Sequence, residues 1–244
     1  HSIRDSAKKL KSLGNMVRVG RGVFLLYGQI AKDQFNFQDL PTISFRKARE
    51  IPSASDCGVE AASRRAYAIV SYRFKSPTAI QKKRVERLVR KSASIRLRPG
   101  VLLFPVLKSR EKRRLLESDE KHVLMDSRRI SEELRSLGAE VSRWSRLRLV
   151  GHLSEILDAI ARTLSYDFSS FEVLAKDLRA QTKGSEAQVK TLKKRYSVLS
   201  KRYNELKFKW GRAGKIWNYD ATKFLTRAYN MMLNVRRAID SITF

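Results

Sequence analysis

From Ala66 to Phe74 the sequence AYAIVSYRF strings together alternating, β-branched and aromatic residues, the pattern of a buried strand. Pro77 suits the first turn of a helix, and TAIQKKRVERLVRKS after it places Val85, Leu88 and Val89 on one arc. SIRLRPGVLLFPVLK (Ser94 to Lys108) then reads as a second strand, bent or broken at Pro99-Gly100. After a charged connector comes a short apolar piece, HVLM (His122 to Met125), expected to be a third strand. The helix DSRRISEELRSLG follows, with Asp126 as N-cap and Gly138 closing it. AEVSRWSRLRLV is a last strand, so the order is β-α-β-β-α-β.

That order is the split βαβ, or ferredoxin-like, unit and defines a middle domain over residues 66–150. From Gly151 to Phe244 the period changes to a helical one. LSEILDAIARTL places Leu153, Ile156, Leu157, Ile160 and Leu164 on one stripe, and a following segment turns Phe168, Phe171, Leu174 and Leu178 inward. From Glu186 to Trp210, Val189, Leu192, Tyr196, Leu199, Tyr203 and Leu206 keep three-four spacing. Ala221 to Ile242 answers with Phe224, Ala228, Met231, Val235, Ala238 and Ile242. Gly211 and Gly214 in WGRAGKIWNYD are expected to turn the chain, pairing these last two helices as an antiparallel hairpin. Lys190, Lys193, Lys194, Lys201, Lys207 and Lys209 would line its outside.

The N-terminal 1–30 is a third regime. Ile3, Ala7, Leu10 and Leu13 recur at helical spacing, which turns Arg4, Lys8, Lys11 and Ser12 to the opposite face with Lys9 at its flank. Gly14-Asn15 ends that helix. MVRV, a Gly20-Arg21-Gly22 turn and VFLLY then form a hairpin carrying Arg18 and Arg21. An alternative is an internal repeat: offset by 78 positions, KKLKSLGNMVRVGRGVFLL overlies ERLVRKSASIRLRPGVLLF, which keeps a tandem pair of ferredoxin-like halves open. Residues 31–65, with Pro41, Pro52 and SASDCG, have no sustained period and read as a linker.

Charge changes the picture most. Lys and Arg number 52 against 24 Asp and Glu, a formal net charge of +28, far beyond the roughly 2–8 units that keep a small domain soluble. With 42% hydrophobic residues the chain is not disordered by composition, so the excess points to a polyanionic partner, nucleic acid first. On the first middle-domain helix Lys83, Arg87, Arg90 and Lys91 form a stripe opposite the apolar arc. No apolar run has the length of a membrane-spanning helix, and the lone Cys57 fits a reducing, cytoplasmic (nucleoid-associated) setting.

Candidate chemistry is sparse. His1, His122 and His152 have no metal-ligand spacing. Glu132-Glu133 and Asp119-Glu120 read as solvated charge rather than an acid/base couple. No nucleophile elbow, phosphate loop or dinucleotide fingerprint occurs, so neither enzyme activity, nor a metal, nor a cofactor is expected.

The segment L-x-x-L-G-x-x-x-R-V-G-R-G-V-F resembles the recognition helix and wing of winged-helix transcription regulators. A full domain of that kind has two more helices ahead of the recognition helix, so this piece is expected to be incomplete. YAIVSYRF, KKRVERLVRKS and IRLRPGVLLFP resemble the ferredoxin-like fold of two groups. One is the small dimeric subunit of CRISPR adaptation complexes; the other is the middle domain of the phenylacetate-catabolism repressor family. Chromate-resistance regulators are similar in layout. Nuclease-like members end the first strand in a metal-holding aspartate. Tyr72-Arg73-Phe74 stands there instead, and Arg73 would repel a divalent ion.

The resemblance implies a homodimeric, double-stranded-DNA-binding transcription regulator. Its winged helix would read the duplex, its middle domain would dimerise, and its helical C-terminal part leaves any small-molecule effector open. The alternatives are a sequence-independent nucleic-acid binder, chromatin-like or RNA-bound, and a nuclease on the same middle fold.

Overall fold

A computed structural model of the chain describes residues 16–20, 23–26, 43–47, 65–116, 123–150, 154–182, 189–217 and 219–242. In chain order these form β1 (Met16–Gly20), β2 (Val23–Leu26), β3 (Ser44–Lys47), β4 (Ala66–Arg73) and α1 (Ala79–Arg90). Next come β5 (Ile95–Arg98), β6 (Val101–Pro105), α2 (Ser109–Leu116), α3 (Ser127–Ser136) and β7 (Glu140–Val150). Three long helices finish the chain: α4 (Ser154–Gln181), α5 (Val189–Trp217) and α6 (Thr222–Asp240). The architecture is mixed α+β. β1 and β2 pair alone; the other strands form one antiparallel sheet in the order β3-β7-β4-β6-β5.

The sheet is covered on both faces, which is why β4 and β6 read as nearly continuous apolar runs. Ala68, Val70, Leu102 and Phe104 pack under α1 and α3 with Val85, Val89, Ile130 and Leu134. Tyr67, Ile95 and Leu103 point the other way, into a core shared with α4, α5 and α6. The Trp217 ring stacks on Tyr67 at 6.0 Å and its Nε1 donates to the Ala93 carbonyl at 3.2 Å, pinning the end of α5 to the sheet. On α4 the Thr163 hydroxyl accepts from the Arg96 N–H at 2.9 Å.

Several expectations need correction. Pro77 does not open α1. Thr78 is the N-cap, accepting from the Gln81 N–H at 3.2 Å while the Gln81 side chain accepts from the Thr78 N–H at 2.9 Å. The second and third strands are the two halves of Ser94–Lys108, folded back at Pro99-Gly100. The described part of HVLM, Val123 to Met125, supplies no strand. Met125 makes only an isolated bridge to Ser92; Leu124 and Met125 are apolar because they plug the core. Within the stretch expected to be a linker, Ser44–Lys47 is the edge strand beside β7.

Gly100 sits at φ +81°, and a Cβ there would lie 2.8 Å from the Tyr72 carbonyl oxygen. Gly100→Ala is expected to cost about 1–3 kcal/mol, read as a lower melting temperature.

α4 and α5 are longer than their sequence patterns suggest, while α6 keeps within its expected span. α4 runs unbroken, so its two apolar stripes must share one phase. Leu157 and Leu174, expected inside, are 38% and 49% exposed, while Ala159, Thr163, Asp167 and Ala175 are buried. α5 continues through Gly211 and Gly214 because Ile216 and Trp217 are buried, which outweighs glycine's low helix propensity. The chain turns instead at Tyr219–Ala221, whose Tyr219 carbonyl would stand 2.9 Å from a Cβ at Gly214. α5 and α6 pack against each other through Leu192, Leu199, Tyr203 and Leu206 on one side and Ala228, Met232, Val235 and Ile239 on the other. Lys209, expected on the outer surface, is 2% exposed and bound to Asp167 across the α4–α5 interface.

Candidate nucleic-acid interface

α1 owes its two faces to a simple periodicity. Val85 and Val89 are buried, and Lys83, Arg87 and Lys91, four residues apart, point outward. Among the described residues none of these three cations has a hydrogen-bond or ion-pair partner for its side chain. Part of the charge serves the helix itself, since Arg87 and Arg90 in the last turn complement the negative end of the helix dipole. Arg90 is half-buried: its Nε lies 4.0 Å from Glu205 on α5 and has no hydrogen-bond partner among the described residues. Glu205 also faces Arg202 at 3.5 Å. Burial, and then the neighbouring Arg90 guanidinium, pull the Arg202 pKa below its ordinary value.

Of the N-terminal candidates, Arg18 is exposed on β1, which pairs with β2 as a hairpin requires. Arg4, Lys8, Lys9, Lys11, Ser12 and Arg21 lie outside the described residues. The structure therefore brings together Lys83, Arg87, Arg90 and Lys91.

A second cationic group is absent from the sequence-derived candidates. β3 pairs with β7 so that Arg46 stands directly opposite Arg148, and Arg148 in turn opposes Ala66 on β4. Residues opposite each other share a face, here the face that carries α1 and α3. Arg143 opposes Val70 on that face, and its Nε donates to the Ser127 hydroxyl at the start of α3, 3.1 Å away. Between them the register slips against Tyr67–Ile69, a β-bulge that holds Arg146 exposed at φ +57°. Among the described residues Arg46, Arg146 and Arg148 make no ion pair or hydrogen bond through their side chains, and Arg148 Nε is buried without a partner there. Like charges placed opposite one another on paired strands repel, so this arrangement costs stability unless an anion lies over it.

The start of α3 links the two groups. The Met125 N–H donates to the Lys91 carbonyl at 2.8 Å, joining the end of α1 to the segment that leads into α3, and Lys112 bridges to the N-cap Asp126 at 2.7 Å. Burial works against the Asp126 carboxylate, but the Arg129 N–H and the Lys112 ammonium together hold its pKa below the usual range. The signal that could have found the arginine row was the alternation in RLRLV, where Arg146 and Arg148 interleave with Leu147 and Leu149. Its partner strand, FRK, was not legible.

Among the described residues no group of three or more His, Cys, Asp or Glu side chains could hold a metal ion, and no helix is long and apolar enough to cross a membrane. Arg73, at the end of β4, pairs with Glu140 on β7 at 2.6 Å. Comparison with protein-family models, curated proteins and solved structures finds no match for this chain.

Proposed function

We propose that this chain binds nucleic acid, and double-stranded DNA first, as a transcription regulator. β1–β2 would be its wing, and a ferredoxin-like middle unit and a helical C-terminal unit would stand behind it. The carrying observation is cations left unpaired among the described residues on rigid faces: Lys83, Arg87 and Lys91 on α1, and Arg46 with Arg148 across β3 and β7. Phosphates would neutralise both groups, with release of counterions. The ferredoxin-like part is supported by helices placed after the first and third strands of the unit and by the order β7-β4-β6-β5, all antiparallel. It is also what the resemblance to the phenylacetate-catabolism repressors calls for. Tyr67 and Leu103 face the molecule's own helices, so a homodimer would form through another surface of the middle unit. The same cations equally serve a sequence-independent binder, because phosphate contacts carry no sequence information.

Titration of a labelled duplex at several salt concentrations tests the proposal. Binding should weaken steeply with salt, and Lys83→Gln with Arg87→Gln should flatten the log–log slope by about one to two. An unchanged slope removes α1 from the interface. A preferred duplex bound about 10³-fold tighter than bulk DNA supports the regulator, and equal affinities support the sequence-independent binder.

A further inference from the structure

Between the end of α1, the Val123–Leu124 segment and the middle of α5 lies a cleft of about 740 Å³. Its size falls in the range of small-molecule sites, about 300–1,000 Å³. Three cations converge on it: Arg90 and Lys91 from α1 and Lys201 from α5. Among the described residues on its wall the only carboxylate is Glu205, shared by Arg90 and Arg202, so positive charge remains in excess there. Lys91 and Lys201 have no partner among the described residues, and the Nε of Arg90 is buried without a hydrogen bond to any of them.

Between the cations, α5 presents Ser197, Ser200 and Asn204, spaced three and four apart on one face. Their side chains make no hydrogen bond within the described residues and are free to donate and accept. Val123, Leu124 and Phe208 supply an apolar wall. A cleft of this make-up suits a ligand with a compact anionic group at one end and a flat, weakly polar body at the other.

We infer that the cleft binds a small phosphate monoester with a planar organic part, of the nucleoside monophosphate class. The phosphate sits among Arg90, Lys91 and Lys201, the sugar or ester oxygens meet Ser197, Ser200 and Asn204, and the base lies along Val123, Leu124 and Phe208. The inference does not rest on the nucleic-acid reading: Arg90 and Lys91 are common to both, but Lys201, Ser197, Ser200 and Asn204 on α5 belong to the cleft alone. Because α1 belongs to the sheet layer and α5 to the helical unit, such a ligand would tie the two together.

Isothermal titration of the full chain with AMP, adenosine and inorganic phosphate tests it. The expected result is one AMP per chain, with adenosine and phosphate each at least tenfold weaker. Lys201→Gln with Asn204→Ala, two exposed changes that leave the core untouched, should lower AMP affinity at least tenfold, about 1.4 kcal/mol. Lys91→Gln alone should lower it in the same direction. The inference is overturned if AMP shows no saturable binding at millimolar concentration, if the variants bind it as the parent does, or if phosphate binds as well as AMP. A 5′-phosphorylated oligonucleotide that binds there far more tightly than AMP would also overturn it, assigning the cleft to a strand end.

Discussion

Asp167→Ala will destabilise the helical unit by about 3–5 kcal/mol, enough to lower the melting temperature by many degrees or abolish cooperative folding. The Asp167 carboxylate is 1% exposed and one oxygen, Oδ2, accepts both from Lys209 Nζ at 2.7 Å and from Trp210 Nε1 at 3.1 Å. Alanine would leave a buried ammonium and a buried indole N–H with no partner, and desolvation would penalise both. The decisive comparison is the double change Asp167→Leu with Lys209→Met, which removes both charges and keeps the volume. It should recover the part of the loss that the orphaned ammonium causes, because burying the pair itself contributes little net stability. The smaller penalty of the Trp210 N–H, for which leucine offers no acceptor, should remain. A melt of Asp167→Ala superimposable on the parent's, by circular dichroism or calorimetry, would show that the pair is not closed off from water in solution.

The combined variant Arg46→Thr, Arg146→Gly, Arg148→Thr should move stability and binding in opposite directions. Removing Arg46 and Arg148 ends a repulsion worth about 0.2–1 kcal/mol, and threonine favours the strand. Glycine at position 146 relieves a left-handed backbone that costs a larger side chain about 1–2 kcal/mol. The protein should therefore melt at a higher temperature. Its binding to duplex DNA should weaken, and the salt slope should flatten by up to about 2.7, at roughly 0.9 for each phosphate that the variant no longer neutralises. Stability that rises as binding falls is the signature of residues retained for a partner. A variant that is more stable yet keeps the parent's slope would show that the arginine row touches no phosphate.

Much of the element order was readable, because strands buried on both faces and amphipathic helices leave their period in the sequence. The departures have physical causes. HVLM is apolar like a strand, but burial in a plug and burial in a sheet leave the same local signature. Gly211 and Gly214 look like punctuation, yet Trp217 docking on Tyr67 carries the helix through them. Lys209 lies in a lysine-rich stretch and nothing local marks it as the one that meets Asp167, 42 residues earlier.

The candidate interface divides in the same way. The α1 stripe was legible, since Lys83, Arg87 and Lys91 are neighbours by helical period alone. The pairing of Arg46 with Arg148 was not, because strand register between widely separated segments is set by the whole sheet.

By itself, then, the sequence determined the excess of positive charge, the alternation of strand and helix in the middle of the chain and the apolar seams of the long helices. Each of these depends on composition or on neighbours within a few positions. Only the tertiary structure decided which of the described cations stay unpaired, which lysine is buried and which arginines stand face to face. Burial and like-charge proximity are properties of elements brought together across long stretches of chain, and no local pattern encodes them.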